Sequence, residues 1–290
     1  MAESEALGSG PIAPDWRPPS LDTGVATPAR MYAYYLGGKD HFRADREAAE
    51  KVLQSMPIAR EIARANRAFL TRAVRHLAQE GITQFLDIGI GLPAPGGTAE
   101  TAQAVWPEAR VVGVDNDPIV LAHARARPGV EAGEAGPGAG SEPERGPELV
   151  VAGDVRRPEE IVKHPEIRAV LDFERPVAVL VVAVLHFVED ADDPYDAVRV
   201  LMDAVAPGSV LVVSHATGDF ASGPMLRAAK AYEKTTARAV LRSKGEIGAF
   251  FDGLDVLEPG VVLLPYWRPD GELPEEADRI WMYCGAGRKR

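Results

Sequence analysis

Apolar positions change their spacing along this chain. Over residues 1–27 they are sparse among Pro, Gly and Ser, a composition that predicts a flexible tail. From residue 28 to 80 they fall near helical spacing. Arg30 to Leu36 is rich in large apolar and aromatic side chains until Gly37-Gly38 interrupts it. Asp45–Ser55 and Ile58–Gln79 read as helices, the second with Ile58, Ile62, Phe69, Val74 and Leu77 in a stripe and Pro57 at its start. From residue 84 onward, short Val/Leu/Ile runs alternate with helical stretches.

The runs predict strands at Gln84–Ile88, Arg110–Val114, Leu149–Ala152, Val177–Ala183, Val210–Ser214, Val256–Leu264 and Arg279–Gly285. The intervening pattern predicts helices near 98–105, 118–126, 158–172 and 193–206, and a long helix from Pro224 to Leu241. Residues 129–147, rich in Gly, Pro and Glu, read as an inserted surface loop. Strand–helix alternation with near-continuous apolar strands implies an α/β fold, its mostly parallel sheet covered on both faces. The expected organisation is a tail over 1–27, a helical lid over 28–80 and a Rossmann-like domain over 81–290.

Composition narrows the function. The chain has 290 residues, 46% of them hydrophobic, enough for a substantial core. A net charge of −11 argues against a phosphate-binding surface, so no nucleic-acid partner is expected. The single cysteine, Cys284, excludes an internal disulfide and a cysteine-cluster metal site, and no metal is expected. No apolar run reaches the roughly 18–20 residues of a membrane span. The first residues lack a basic-then-apolar leader pattern. A cytoplasmic protein with no membrane partner is therefore expected, its oligomeric state left open.

The candidate chemistry sits at strand ends. Gln84 to Gly91 is an apolar strand that closes on Asp87, Gly89 and Gly91. The glycines allow a tight turn and close approach of a ligand to the backbone. Gly89 to Ala94 also satisfies a dinucleotide pattern, and a plain strand-to-helix turn is the simpler alternative. Asp87 tilts the choice. A carboxylate repels a pyrophosphate but attracts the ammonium group of S-adenosylmethionine. The second strand runs into Asp115-Asn116-Asp117. Asp115, with Asn116 beside it, is placed to accept ribose hydroxyls, whereas Asp117 reads as the cap of a helix opened by Pro118. Asp154 and Val155 follow the third strand, positioned for an adenine amino group and ring face. Leu185 and His186 follow the fourth. There His186 is a candidate general base near the reacting centre, a packed core histidine being the alternative.

Several strings together resemble the actinobacterial S-adenosyl methyltransferase family, formerly a domain of unknown function. They are "PARMY", "LGGKD" and "FRADR" near the N-terminus, then "FLDIGIGLP", "VVGVDNDPIVLAHARA", "GDVRRPEEI" and "RPVAVLVVAVLHFVEDADDP", with "FFDGLDVLEPGVV" and "YCGAGRK" at the end. The resemblance covers roughly residues 28–288. It implies a class I methyltransferase fold, with a seven-stranded sheet, an antiparallel last strand and extra N-terminal helices. It also implies S-adenosylmethionine as cofactor, with the methionine part at Asp87, Gly89 and Gly91, the ribose at Asp115 and the adenine at Asp154. The "GGKD" segment is expected to fold over the cofactor mouth. There Arg30, Tyr32, Gly38 and Lys39 are candidate cofactor contacts. Where the family pattern carries Asp, Asn and His, this chain has Ala33, His41 and Ala99. The function implied is methyl transfer to a small-molecule acceptor. The alternatives are a non-catalytic cofactor-binding regulator and a nicotinamide-dependent oxidoreductase.

Overall fold

The computed structural model describes residues 22–126, 130–131, 146–220 and 223–290. Most of the predicted tail and of the predicted 129–147 loop lies outside the described residues.

Three helices precede the sheet: α1 (Pro28–Tyr35), α2 (Arg43–Ser55) and α3 (Ala59–Gln79). Pro28 opens α1 under a Thr27 cap. Its fixed φ suits a first helical turn, and its missing N–H leaves nothing unsatisfied there. The inward stripe of α3 includes Ile62, Phe69, Leu70, Val74 and Leu77, and also a buried polar residue, Asn66.

The strands then alternate with helices. They are β1 (Gln84–Ile88), β2 (Arg110–Asp115), β3 (Val130–Glu131), β4 (Glu148–Ala152), β5 (Ala178–Val182), β6 (Val210–Ala216), β7 (Asp255–Val256), β8 (Val262–Leu263) and β9 (Met282–Arg288). They form one sheet in the order β3-β4-β2-β1-β5-β6-β9-β7, with β8 also on β9. β1 to β6 run parallel and β9 runs antiparallel to β6. Among the described residues the sheet thus has nine strands where seven were expected: β3 is additional, and the expected 256–264 strand is present as the two short strands β7 and β8.

Alternate strand residues face opposite ways. Leu86, Val112, Leu149, Val179 and Leu211 pack on one face against α6 (Pro158–Val162), α7 (Pro165–Val170) and α8 (Pro194–Asp203). Phe85, Val111, Leu180, Val210 and Cys284 pack on the other, against α3 and α4 (Thr98–Gln103). α5 (Pro118–Arg125) flanks β4 on that second side through Leu121 and Ala124.

Three predicted elements are corrected. The helix expected over 158–172 is two helices, because Pro165 cannot continue one and opens the next. The strand expected over 256–264 is split into β7 and β8 by a turn at Gly260, whose φ is +84°. The long helix expected over 224–241 stops early. It is α9 (Gly223–Ala231) followed by one 3-10 turn, Tyr232–Lys234. The Thr235 hydroxyl donates to Tyr232 O at 2.9 Å and accepts from Ala237 N at 3.3 Å. These local bonds compete with a helical continuation. The extended strap that follows crosses to two other segments: Thr236 N donates to Ala26 O and Val240 N to His186 O.

Candidate functional site

The carboxyl ends of β4, β2, β1 and β5 open on one cavity of about 860 Å³. That lies in the upper part of the ~300–1,000 Å³ range of small-molecule sites. The N-terminal helices, α9 and the strap roof it over.

Asp87, Asp115 and Asp154 all line this cavity, from adjacent strands. Asp87 is buried and accepts the Thr98 hydroxyl at 2.6 Å. Burial pushes its carboxyl above the usual range, against the Thr98 bond and the charge of Arg67. Gly89 (φ +76°) and Gly91 (φ +67°) make the turn that follows. Asp115 accepts Gly91 N on one oxygen and Asp117 N on the other, both at 2.9 Å. Burial still raises its pKa to about 6. Each oxygen retains a further lone pair for a ligand hydroxyl. Asp154 accepts Arg156 Nε at 2.9 Å and Asn116 Nδ2 at 3.1 Å. Burial pushes upward here too, but the bonds from Arg156 and Asn116 outweigh it and bring the group to about 2. Val155, buried, completes the β4 corner. Asp117 caps α5 through Ile119 N at 2.8 Å and accepts the Thr27 hydroxyl at 2.7 Å.

The N-terminal candidates divide. Arg30 and Tyr32 line the cavity, but their polar atoms have protein partners. Arg30 is buried and pairs with Asp45 at 3.2 Å while donating to Thr27 Oγ1, Val25 O and Asp22 O. The Tyr32 hydroxyl donates to Ala63 O at 2.9 Å and accepts from Asn66 Nδ2 at 3.0 Å. Gly38 and Lys39 lie exposed outside the cavity lining, and Leu185 is buried in the core beneath it. Ala33, His41 and Ala99 do not line the cavity either. Ala99 packs in the core on the α3 side of the sheet.

His186 lines the cavity on a short 3-10 turn after β5. Its Nδ1 is buried with no hydrogen-bond partner among the described residues. Burial, aided by His215 and the charge of Arg242, holds its pKa well below the ordinary histidine value. The turn is braced on both sides by buried Arg242, which donates to Leu185 O at 2.9 Å and Val188 O at 3.0 Å. Arg242 Nη1 also lies 2.9 Å from His215 Nε2, which must therefore accept.

Sequence reasoning did not single out Arg67, Asn66, Ser214 or Arg242. Arg67 lines the cavity, and its buried Nε has no partner among the described residues. Asn66 Oδ1 accepts the Ser214 hydroxyl at 2.6 Å, and Ser214 Oγ in turn accepts Ala183 N at 2.9 Å. Ala183 has φ +60°, a left-handed conformation that costs a non-glycine residue about 1–2 kcal/mol. The network thus holds the end of β5 in a strained turn. A signal for Asn66 was available: it lies four residues from both Ile62 and Leu70 on the inward stripe of α3.

A mostly parallel α/β sheet with a reversed β9, and acids at successive strand ends around one cavity, define a Rossmann-like class I methyltransferase fold. The chain belongs to the S-adenosyl methyltransferase family, whose model matches residues 14–290. It is similar to a DUF574 family protein from Streptomyces avermitilis MA-4680, at 41% identity and a TM-score of 0.85, covering 93% of this chain and 100% of that one. It is also similar to a putative methyltransferase from Thermobifida fusca YX, at 37% identity and a TM-score of 0.81, covering 95% of this chain and 99% of that one. No curated protein matches the sequence. The cofactor is accordingly S-adenosylmethionine rather than a nicotinamide. Among the described residues, no helix is long and apolar enough to cross a membrane, and no group of side chains is arranged to hold a metal.

Proposed function

We propose that this chain is an enzyme that transfers a methyl group from S-adenosylmethionine to a small-molecule acceptor bound in the same cavity. The observation that carries this reading is the pairing of opposite, unspent charges across the cavity. Buried Asp87 has only a hydroxyl partner, and the charge of Arg67, whose Nε has none, acts on it. A zwitterionic methionine end suits both, its ammonium against Asp87 and its carboxylate against Arg67. Asp115, with Asn116 beside it, takes the ribose hydroxyls, and Asp154 and Val155 take the adenine. Gly89 and Gly91 let the β1 loop approach. Arg30 and Tyr32 serve the site through the roof, their polar atoms being engaged in it.

When bound, the sulfonium supplies an activated methyl group. The protein's part is alignment and exclusion of water. The roof shields the cavity, and the braced β5 turn holds His186 neutral beside it. A neutral imidazole can accept a proton from an acceptor that must lose one. Ala33, His41 and Ala99, which stand where the family pattern has Asp, Asn and His, do not line the cavity.

Calorimetry with S-adenosylhomocysteine tests this assignment. Asp87→Asn and Arg67→Met each remove a charge-assisted contact worth about 1.5–3 kcal/mol, roughly a ten- to hundredfold loss of affinity. Affinity unchanged in both variants, or thermal protection by NAD but not by S-adenosylhomocysteine, would overturn it.

A further inference from the structure

The donor assignment leaves one wall of the cavity without a role. Asp154, Asp115 and Asp87 sit on β4, β2 and β1, and β5 is next in the sheet. The space on the β5 side is lined by an unbroken run of rings. His186 and Phe187 have centroids 4.3 Å apart, and Phe187 and Tyr232 5.3 Å apart. The hydroxyls of Tyr232 and Tyr35 lie 3.5 Å apart. Val52, Met56 and Ile62 complete this apolar pocket.

None of these wall residues is ionised. Burial pushes the Tyr35 and Tyr232 phenols upward, so both remain protonated donors. Charged lining residues on this side, Glu189, Asp192, Glu233 and Arg238, are exposed at the rim. In the interior, Arg30 is paired with Asp45, and Arg67 and the three carboxylates are assigned to the donor. An ionic acceptor lying along the rings would lose its hydration without a partner. A flat uncharged ring would instead gain offset or edge contacts with Phe187 and Tyr232.

We propose that the acceptor is an uncharged phenol, held against Phe187 and Tyr232 and methylated on its hydroxyl oxygen, with His186 as general base. This rests on the donor assignment above. The acceptor oxygen forms its bond to the methyl carbon as the carbon–sulfur bond breaks, and that bonding pair stays on sulfur. The phenolic proton passes to a lone pair of the neutral His186 imidazole and then to water. The products are an aryl methyl ether and S-adenosylhomocysteine. A phenol needs such a base, because its neutral oxygen is a poor nucleophile until the proton leaves.

The test uses the full chain saturated with S-adenosylhomocysteine and titrated calorimetrically with 2-naphthol, 2-naphthoate or cyclohexanol. 2-Naphthol should bind saturably and at least tenfold more tightly than the other two. Phe187→Leu and Tyr232→Leu should each weaken it at least tenfold, with S-adenosylhomocysteine affinity changed less than twofold. With S-adenosylmethionine, wild type should yield 2-methoxynaphthalene by mass spectrometry. His186→Asn should lower that yield at least a hundredfold at neutral pH even when 2-naphthol is saturating, a loss larger than any change in 2-naphthol affinity. Four results would overturn the proposal: equal or tighter binding of 2-naphthoate, no saturable 2-naphthol binding, ring variants without effect, or binding without methyl ether formation. Failure to bind S-adenosylhomocysteine at all would instead sink the donor assignment.

Discussion

The hydroxyl of Ser214 donates to the side-chain oxygen of Asn66 at 2.6 Å, across 148 positions of sequence. This bond joins β6 to α3 and, through Ala183 N and the Tyr32 hydroxyl, reaches the end of β5 and α1. Asn66→Leu removes an acceptor and a donor from a buried network. Leaving those partners unsatisfied costs about 1–3 kcal/mol. Ser214→Ala should cost less, because Ala183 N keeps the backbone Ser214 O at 3.2 Å. Urea denaturation of both variants checks the order.

The ribose role proposed for Asp115 predicts that cofactor binding depends on pH. Its ionised form is the better acceptor for two hydroxyls, and its pKa in the fold is about 6 against an ordinary 3.8. Affinity for S-adenosylhomocysteine should therefore fall as pH drops through 6. One unit below the pKa only about a tenth of the sites are ionised, so binding at pH 5 should be up to about tenfold weaker than at pH 7. In the ligand-free protein this group acts with the opposite sense. The folded form holds the proton more tightly than the unfolded one, so its contribution to stability declines from pH 4 to 6 and stays low above. Asp115→Asn should bind weakly, with this step in the pH profile removed. Calorimetry over that range measures both.

Gly89 and Gly91 share a positive φ but not their surroundings. A Cβ on Gly91 meets nothing within 4 Å, whereas one on Gly89 would lie 2.3 Å from Val184 Cγ2. Gly91→Ala should cost only the left-handed backbone penalty, about 1–2 kcal/mol. Gly89→Ala adds a clash with the β5 turn. Its melting temperature should fall further, and affinity for S-adenosylhomocysteine at least tenfold, since Val184 lines the cavity. Equal behaviour of the two variants would count against this reading of the loop.

Arg30 and Asp45 are both buried, and Asp45 also accepts Thr27 N at 3.1 Å and Phe42 N at 2.7 Å. Arg30→Met strands a buried carboxylate, at a cost of about 3–5 kcal/mol. Arg30→Lys should rescue little, because one ammonium cannot reproduce the planar fork that reaches Thr27, Val25 and Asp22 together. Chemical denaturation of the two variants checks this.

The layered α/β fold and the carboxylate file can be read from local pattern alone. Continuous Val/Leu/Ile runs can be buried only in a sheet covered on both faces, and Asp87, Asp115 and Asp154 follow from where those runs end. Local pattern erred where a local rule overrode it: at Pro165, and at Thr235, whose hydroxyl bonds end the helix after Lys234. Tertiary structure alone decided the use of the polar groups. Arg30 and Lys39 look alike as cations of the N-terminal segment, yet one is buried against Asp45 and the other is exposed outside the cavity. Arg67 on α3 and His186 after β5 face one cavity, which no spacing along the chain reveals. Which charge meets which depends on contacts between segments far apart in sequence, and those exist only once the sheet and its roof have packed.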